Sequence, residues 1–186
     1  MATSQAKTKQ DSKPKYLVKN ALINYYLAIN MDAIEILNDA VGGVTVNVTD
    51  DFSLVDPTIG KGQVTLKGTQ ALSFVRSRKD VGTQMNLSRM ARHREYMNGL
   101  ALALTESVRQ SDSFVTSVYD QMSEYMVTDC SVNAVSGLMQ RCADYALKEN
   151  ISLEGENILG EEYYEFHVDE EKLDELILRL FYAPKQ

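Results

Sequence analysis

The apolar positions of this chain change period along its length, and each change marks an element. In residues 33–41, AIEILNDAV, the apolar Ile34, Ile36, Leu37, Ala40 and Val41 follow a mostly helical spacing behind Asp32, a candidate cap. Gly42 and Gly43 end that run with residues that tolerate a left-handed turn. The period then drops to two, because Val44, Val46 and Val48 alternate with Thr45 and Asn47 as in a strand with one buried face. Upstream, residues 15–22 read as a short helix and residues 23–30, INYYLAIN, as a strand rich in aromatic and branched side chains. Downstream, residues 50–62 have the Asp, Pro and Gly content of a loop, and residues 62–66 read as a short strand.

Thr69 is a candidate cap for a short helix over residues 70–72, feeding a strand over residues 73–78. A polar loop, 79–85, precedes a long amphipathic helix opened by Asn86 or Ser88 and running to about Arg109, with Met90, Met97, Leu100, Ala101 and Leu104 as its stripe. Residues 113–125 and 132–147 read as amphipathic helices, the second capped by Ser131. Residues 153–159 and 163–168 read as strands, and Asp169 caps a last helix whose stripe is Leu173, Leu176, Ile177 and Leu180. This order predicts an α/β fold, a central mixed sheet flanked by helices in an α/β/α sandwich. The expected organisation is a flexible polar arm at 1–15, a main domain at 16–110, and an extension at 111–186 packed on it.

Composition bounds the function. At 186 residues and 44% hydrophobic content, the chain can bury one substantial core, and no stretch approaches the length of apolar sequence that spans a membrane. The opening MATSQAKTKQDSKPK has no apolar region of the kind a secretory signal carries. A net charge of -7 opposes a general affinity for nucleic acid or anionic lipid, so basic chemistry must be local. Cys130 and Cys142 form no CxxC pair and have no His/Cys cluster beside them, which argues against zinc. Two buried thiols are the expectation, with a disulfide as the alternative outside the cell.

Against that acidic background, residues 70–94 collect Arg76, Arg78, Lys79, Arg89, Arg92 and Arg94. On the strand just predicted, Arg76 and Arg78 would point to one face. On the helix, Arg89, Arg92 and His93 lie at i, i+3 and i+4 and share a face. Guanidinium forks match phosphate oxygens, so strand and helix together predict one pocket for an anion. The bland alternative is neutralisation by the acidic tail, where ten Asp and Glu residues crowd between Glu154 and Glu175. Asp50, Asp51 and Asp56 form an acidic loop expected to face solvent, and His167 reads as a surface histidine. Met85, Met90 and Met97 sit near the proposed pocket, with core packing the expectation.

Three stretches carry a resemblance. They are NYYLAINMDAIEILNDAVGGVTVNV, then GQVTLKGTQALSFVRSRKD, then NLSRMARHREYM, with their GGV-x-V, G-x-x-x-L-x-G-x-x-AL, V-R-x-R and R-x-x-R marks. Together they resemble the second half of the LytR-CpsA-Psr (LCP) domain, also called the cell envelope-related transcriptional attenuator domain. The closing EFHVDEEKLDELILRLFY is similar to the tails of many members. The resemblance implies an apolar pocket for a polyprenyl chain whose phosphate or pyrophosphate is held by arginines. It further implies transfer of a glycopolymer, such as teichoic acid or capsular polysaccharide, to peptidoglycan at the outer face of the membrane. By motif position Arg76 and Arg78 match the V-R-x-R pair, and Arg89 and Arg92 the R-x-x-R pair.

The departures matter as much. Asn86 stands where the family has an Asp, and His93 where it has a Gln. The resemblance implies magnesium, but an amide is a poorer ligand for a hard cation than a carboxylate, so no metal ligand is assigned here and the catalytic residue stays open. An earlier half, with an S-x-P-R-D-like motif and the first strands of the sheet, has no counterpart in this sequence. Unpaired strand edges then predict a homodimer that closes the sheet. Two readings follow, a glycopolymer phosphotransferase or a non-catalytic lipid-phosphate binding module. Nucleic-acid binding is the least favoured, because no helix-turn-helix partner and no interleaved aromatics accompany the basic run.

Overall fold

The computed structural model describes residues 25–81, 85–145, 151–161 and 164–182. The chain divides into two compact units, one of residues 25–148 and one that holds the described residues from 151 onward. The predicted helix at 15–22 lies outside the described residues.

The first unit contains β1 (Leu27–Ile29), α1 (Ala33–Ala40), β2 (Val44–Val48), β3 (Gly62–Leu66), α2 (Thr69–Arg76), α3 (Met85–Gln110), α4 (Phe114–Met122), β4 (Met126–Thr128) and α5 (Val132–Cys142). A 3-10 turn, Ser123–Tyr125, joins α4 to β4. The second unit is a hairpin of β5 (Gly155–Leu159) and β6 (Tyr164–Val168), followed by α6 (Glu170–Phe181). The α/β mixture matches expectation, but the sheet is divided. Among the described residues β1 pairs with β4, β2 with β3 and β5 with β6, each as a two-stranded antiparallel ladder. Among the described residues no central mixed sheet joins them, so β2 and β3 each keep an edge without a described strand partner.

Alternation in β2 works as read. Val44, Val46 and Val48 are buried while Thr45 and Asn47 are exposed, and each buried valine contributes on the order of 1.5–3 kcal/mol. Their partners in the main core are Leu66 of β3, Phe52, Phe74 of α2, and Tyr96 and Leu100 of α3. Gly42, at φ +78°, and Gly43, at φ +103°, turn α1 into β2 through the left-handed region. Asn38, fully buried at the end of α1, donates from Nδ2 to the Leu66 carbonyl at 2.9 Å and accepts from the Tyr96 hydroxyl at 3.3 Å. Burial, then the nearby Asp39, pushes the Tyr96 phenol well above its ordinary range.

Helix α3 crosses β2 at close range, and Gly99 is the reason it can. A β-carbon there would stand 2.5 Å from the Thr45 carbonyl oxygen and 2.8 Å from Val44 Cγ1. The helix therefore accepts a residue that costs about 1 kcal/mol in intrinsic propensity. The buried face of α3 also differs from the predicted stripe. Arg92, Tyr96, Leu100 and Val108 are buried, at spacings of four and eight, whereas Met90 and Met97 are half exposed. These methionines are surface residues, contrary to the core packing expected of them; the Met85 side chain lies outside the described ones.

Caps resolve individually. Ser131 accepts from the Ala134 amide at 3.3 Å, and Asp169 accepts from the amides of Glu171 and Lys172, as expected. Asp32 holds the N-cap position of α1 without a side-chain bond; Asn30 Oδ1 accepts from the Ala33 amide instead, at 3.1 Å. Both cysteines are free, Cys130 buried and Cys142 exposed, so the second thiol is not the core residue expected.

Candidate anion site

The largest correction falls on the basic run. Residues 69–76 form a helix, α2, in place of the predicted strand over residues 73–78, because Ala71, Phe74 and Val75 at i, i+3 and i+4 bury one face against the core. Arg76 is the last residue of that helix, and Ser77 then turns extended at φ -60° and ψ 134°. Arg76 and Arg78 are both exposed, and they flank Ser77 rather than sharing one strand face.

From the facing helix, two side chains reach this short bend. Arg92 Nη2 donates to the Ser77 carbonyl at 2.5 Å, and His93 Nε2 lies 2.9 Å from the Val75 carbonyl. A carbonyl only accepts, so that contact makes Nε2 the protonated nitrogen of His93. Both bonds fall on carbonyls at the C-terminal end of α2, where helical partners run out and a cation is favoured. Arg92 and His93 thus hold the bend that carries Arg76 and Arg78. The R-x-x-R motif fixes the V-R-x-R motif in place.

Arg92 is the unusual member. Its side chain is only 4% exposed, its guanidinium carbon lies 5.4 Å from the centroid of the Phe52 ring, and Phe52 stacks on Phe74 at 5.5 Å. The Asp50 carboxylate comes to 3.6 Å from Nη1, an ion pair too long to be a hydrogen bond. Desolvation pulls the Arg92 pKa below its ordinary value, while Asp50 opposes and the neighbouring Arg89 adds to that shift. Nε and Nη1 of Arg92 and Nε of Arg89 are buried without a hydrogen-bond partner. Unbonded charged donors are expensive to bury, at about 1–3 kcal/mol or more each. Three such atoms lie on two neighbouring arginines and have no acceptor.

Asp50 was the signal that the acidic loop hid. Its side chain is 16% exposed and faces Arg92, whereas Asp51 bonds the Ser53 amide at 2.9 Å and Asp56 the Thr58 amide at 3.0 Å, both local turns. The Ser53 bond holds the Asp51 carboxyl below its usual range. His167 is a surface residue, as expected, with Glu165 at 3.4 Å. Among the described residues no three His, Cys, Asp or Glu side chains converge as metal ligands. Asp50 supplies a described carboxylate at the cluster, where it faces Arg92. The side chain at position 86 lies outside the described ones.

The LytR_cpsA_psr family matches residues 18–181. The chain belongs to that family. Among curated members it is similar to the polyisoprenyl-teichoic acid–peptidoglycan teichoic acid transferase TagU of Oceanobacillus iheyensis, at 33% identity over 153 residues, 78% of this chain and 45% of that protein. The TagU of Bacillus subtilis is 35% identical over 78 residues, 42% of this chain and 25% of that protein. The chain therefore spans less than half the length of these LCP relatives. Among solved structures, TagT bound to LI-WTA superposes with a TM-score of 0.64 at 25% identity, over 86% of this chain and 60% of that one. An Enterococcus faecalis protein reaches a TM-score of 0.71 at 19% identity, over 89% and 62%, a likeness of fold.

Proposed function

We propose that this LCP chain is a cell-envelope biogenesis protein that binds a polyprenyl-phosphate or pyrophosphate-linked glycopolymer through its arginines and, within a complete domain, transfers that polymer to peptidoglycan. One observation carries the reading: Arg92 and Arg89 bury donors that lack an acceptor, in a family whose curated relatives are named for polyisoprenyl-linked teichoic acid. Arg89 and Arg92 form the inner half of the site. Arg76 and Arg78 are its exposed outer half, and His93 fixes the bend between them. Guanidinium groups preset around a pyrophosphate neutralise charge that grows on the leaving polyprenyl phosphate as the P–O–P bridge breaks and the polymer-bearing phosphoryl group passes to a peptidoglycan hydroxyl, which gives up its proton to solvent; that is how such a site lowers a phosphoryl-transfer barrier. Magnesium would add charge neutralisation through the donor's own phosphate oxygens and water. No step is assigned to it, since the described carboxylates do not gather around the cluster.

A second reading, binding without transfer, is favoured by Asn86 in place of the family's acid. Peptidoglycan as acceptor and the outer face of the membrane as location belong to the first reading. No helix among the described residues is long and apolar enough to cross a membrane. The homodimer is kept in both readings, on the edges of β2 and β3 that lack a described strand partner and on the half-exposed Leu27 and Ile29; a monomer in sedimentation at micromolar concentration sinks it.

The deciding experiment is titration with a polyprenyl-pyrophosphate sugar donor, followed by incubation with peptidoglycan and magnesium. Saturable binding that Arg92→Met abolishes supports the site. Transfer of label to peptidoglycan separates the first reading from the second, and absence of binding overturns both.

A further inference from the structure

Asp50 is unaccounted for by this function, and the geometry around it has a specific form. A guanidinium that is 4% exposed needs a counter-charge, and among the described residues Asp50 Oδ2 faces it, at 3.6 Å. The carboxylate stands beyond hydrogen-bond reach, so it balances the charge of Arg92 while leaving Nη1 and Nε without an acceptor. An anion that takes those donors must come within a few ångströms of Asp50, where like charges repel. The carboxylate has an exit, since it is 16% exposed and lies at the edge of the loop that leaves β2.

We infer that Asp50 is a resident counter-ion of the arginine site, one that an incoming phosphate displaces, and so a specificity-determining residue that sets how much negative charge a ligand must bring. The inference rests on the anion-binding reading above. Pyrophosphate, with charge on two phosphoryl groups, outcompetes one carboxylate more easily than a singly charged ligand does. In the free protein Asp50 holds Arg92, and through Arg92 the Ser77 carbonyl, in the arrangement that the ligand later uses. The carboxylate and the ligand are alternatives, and each weakens the other by the same factor.

The test is calorimetric titration of the whole chain with inorganic pyrophosphate, together with thermal melts in its presence and absence. Asp50→Asn is expected to bind pyrophosphate about tenfold more tightly than wild type. Its melting midpoint is expected to fall without ligand and to return to the wild-type value at saturation, because pyrophosphate supplies the missing counter-charge. Asp50→Glu, which keeps the charge, is expected to keep wild-type affinity, and Asp50→Ser is a second neutral variant where Asn folds poorly. Equal or weaker binding by the neutral variants, or a midpoint depressed equally with and without ligand, overturns the inference and leaves Asp50 a fixed structural partner. Absence of pyrophosphate binding by wild type and variants alike is a different failure; it overturns the anion-binding reading and this inference with it.

Discussion

The two units each carry an opposite-charge contact, and the pairs could hardly differ more in setting. In the first unit Arg92 and Asp50 are 4% and 16% exposed, with Phe52 beneath the guanidinium. In the second, Lys172 meets Glu154 while both remain more than half exposed, at 51% and 65%. That hydrogen bond, then the charge of Glu154, raises the Lys172 pKa, yet water competes for the same partners. A surface pair of this kind adds little to folding. The inner pair is a different object, since removing Asp50 leaves the Arg92 guanidinium charged in a place that cannot solvate it. Distance ranks the two the wrong way, because the exposed pair is the shorter; burial ranks them correctly.

The largest break in that contrast is expected from Arg92→Met. It should cost about 3 kcal/mol in denaturant unfolding, through the loss of the Ser77 bond and of the guanidinium's contact with Phe52, and should abolish pyrophosphate binding in calorimetry. Next comes Gly99→Ala, which forces α3 off the Thr45 carbonyl and should cost about 2 kcal/mol in the same assay. Tyr96→Phe removes the bond to Asn38 and should cost about 1 kcal/mol at neutral pH. It carries a pH signature as well. The folded phenol titrates above its unfolded value of 10.0, so its contribution is complete below pH 10 and fades as pH rises beyond it; the Phe variant should lose less stability on that limb.

Smaller effects sharpen the outer half of the site. Arg76→Ala and Arg78→Ala should leave the melting midpoint unchanged, since both residues are exposed, and should weaken pyrophosphate binding about tenfold each. Lys172→Ala should change neither midpoint nor binding, and that null result is what the contrast between the two pairs requires.

Much of this was legible in the sequence, for reasons that local rules explain. The valine alternation of β2, the double glycine before it and the caps Ser131 and Asp169 depend on neighbours within a few residues, so period and cap chemistry found them. The run ending in Arg78 misled, because VRSR alternates as a strand does while Ala71, Phe74 and Val75 just upstream carry the helical period; burial of those three decided the contest. The four arginines stand out by residue type. Their burial does not, although a clue stood in the open: Arg92 lies four residues before Tyr96 and eight before Leu100, on the buried stripe of α3. A charged residue on an apolar stripe asks for a partner, and Asp50, forty-two positions away, could be identified only after the chain had folded.

Gly99 has a consequence for how this site can change. Seven residues, about 10 Å of helix, separate it from Arg92. Contact between that glycine and the Thr45 carbonyl seats α3 on β2 like a rail in a groove, so the placement of the guanidinium is inherited from the strand. Selection for a differently shaped headgroup would then act on the backs of Val44 and Thr45, well away from any ligand, as readily as on the arginines themselves.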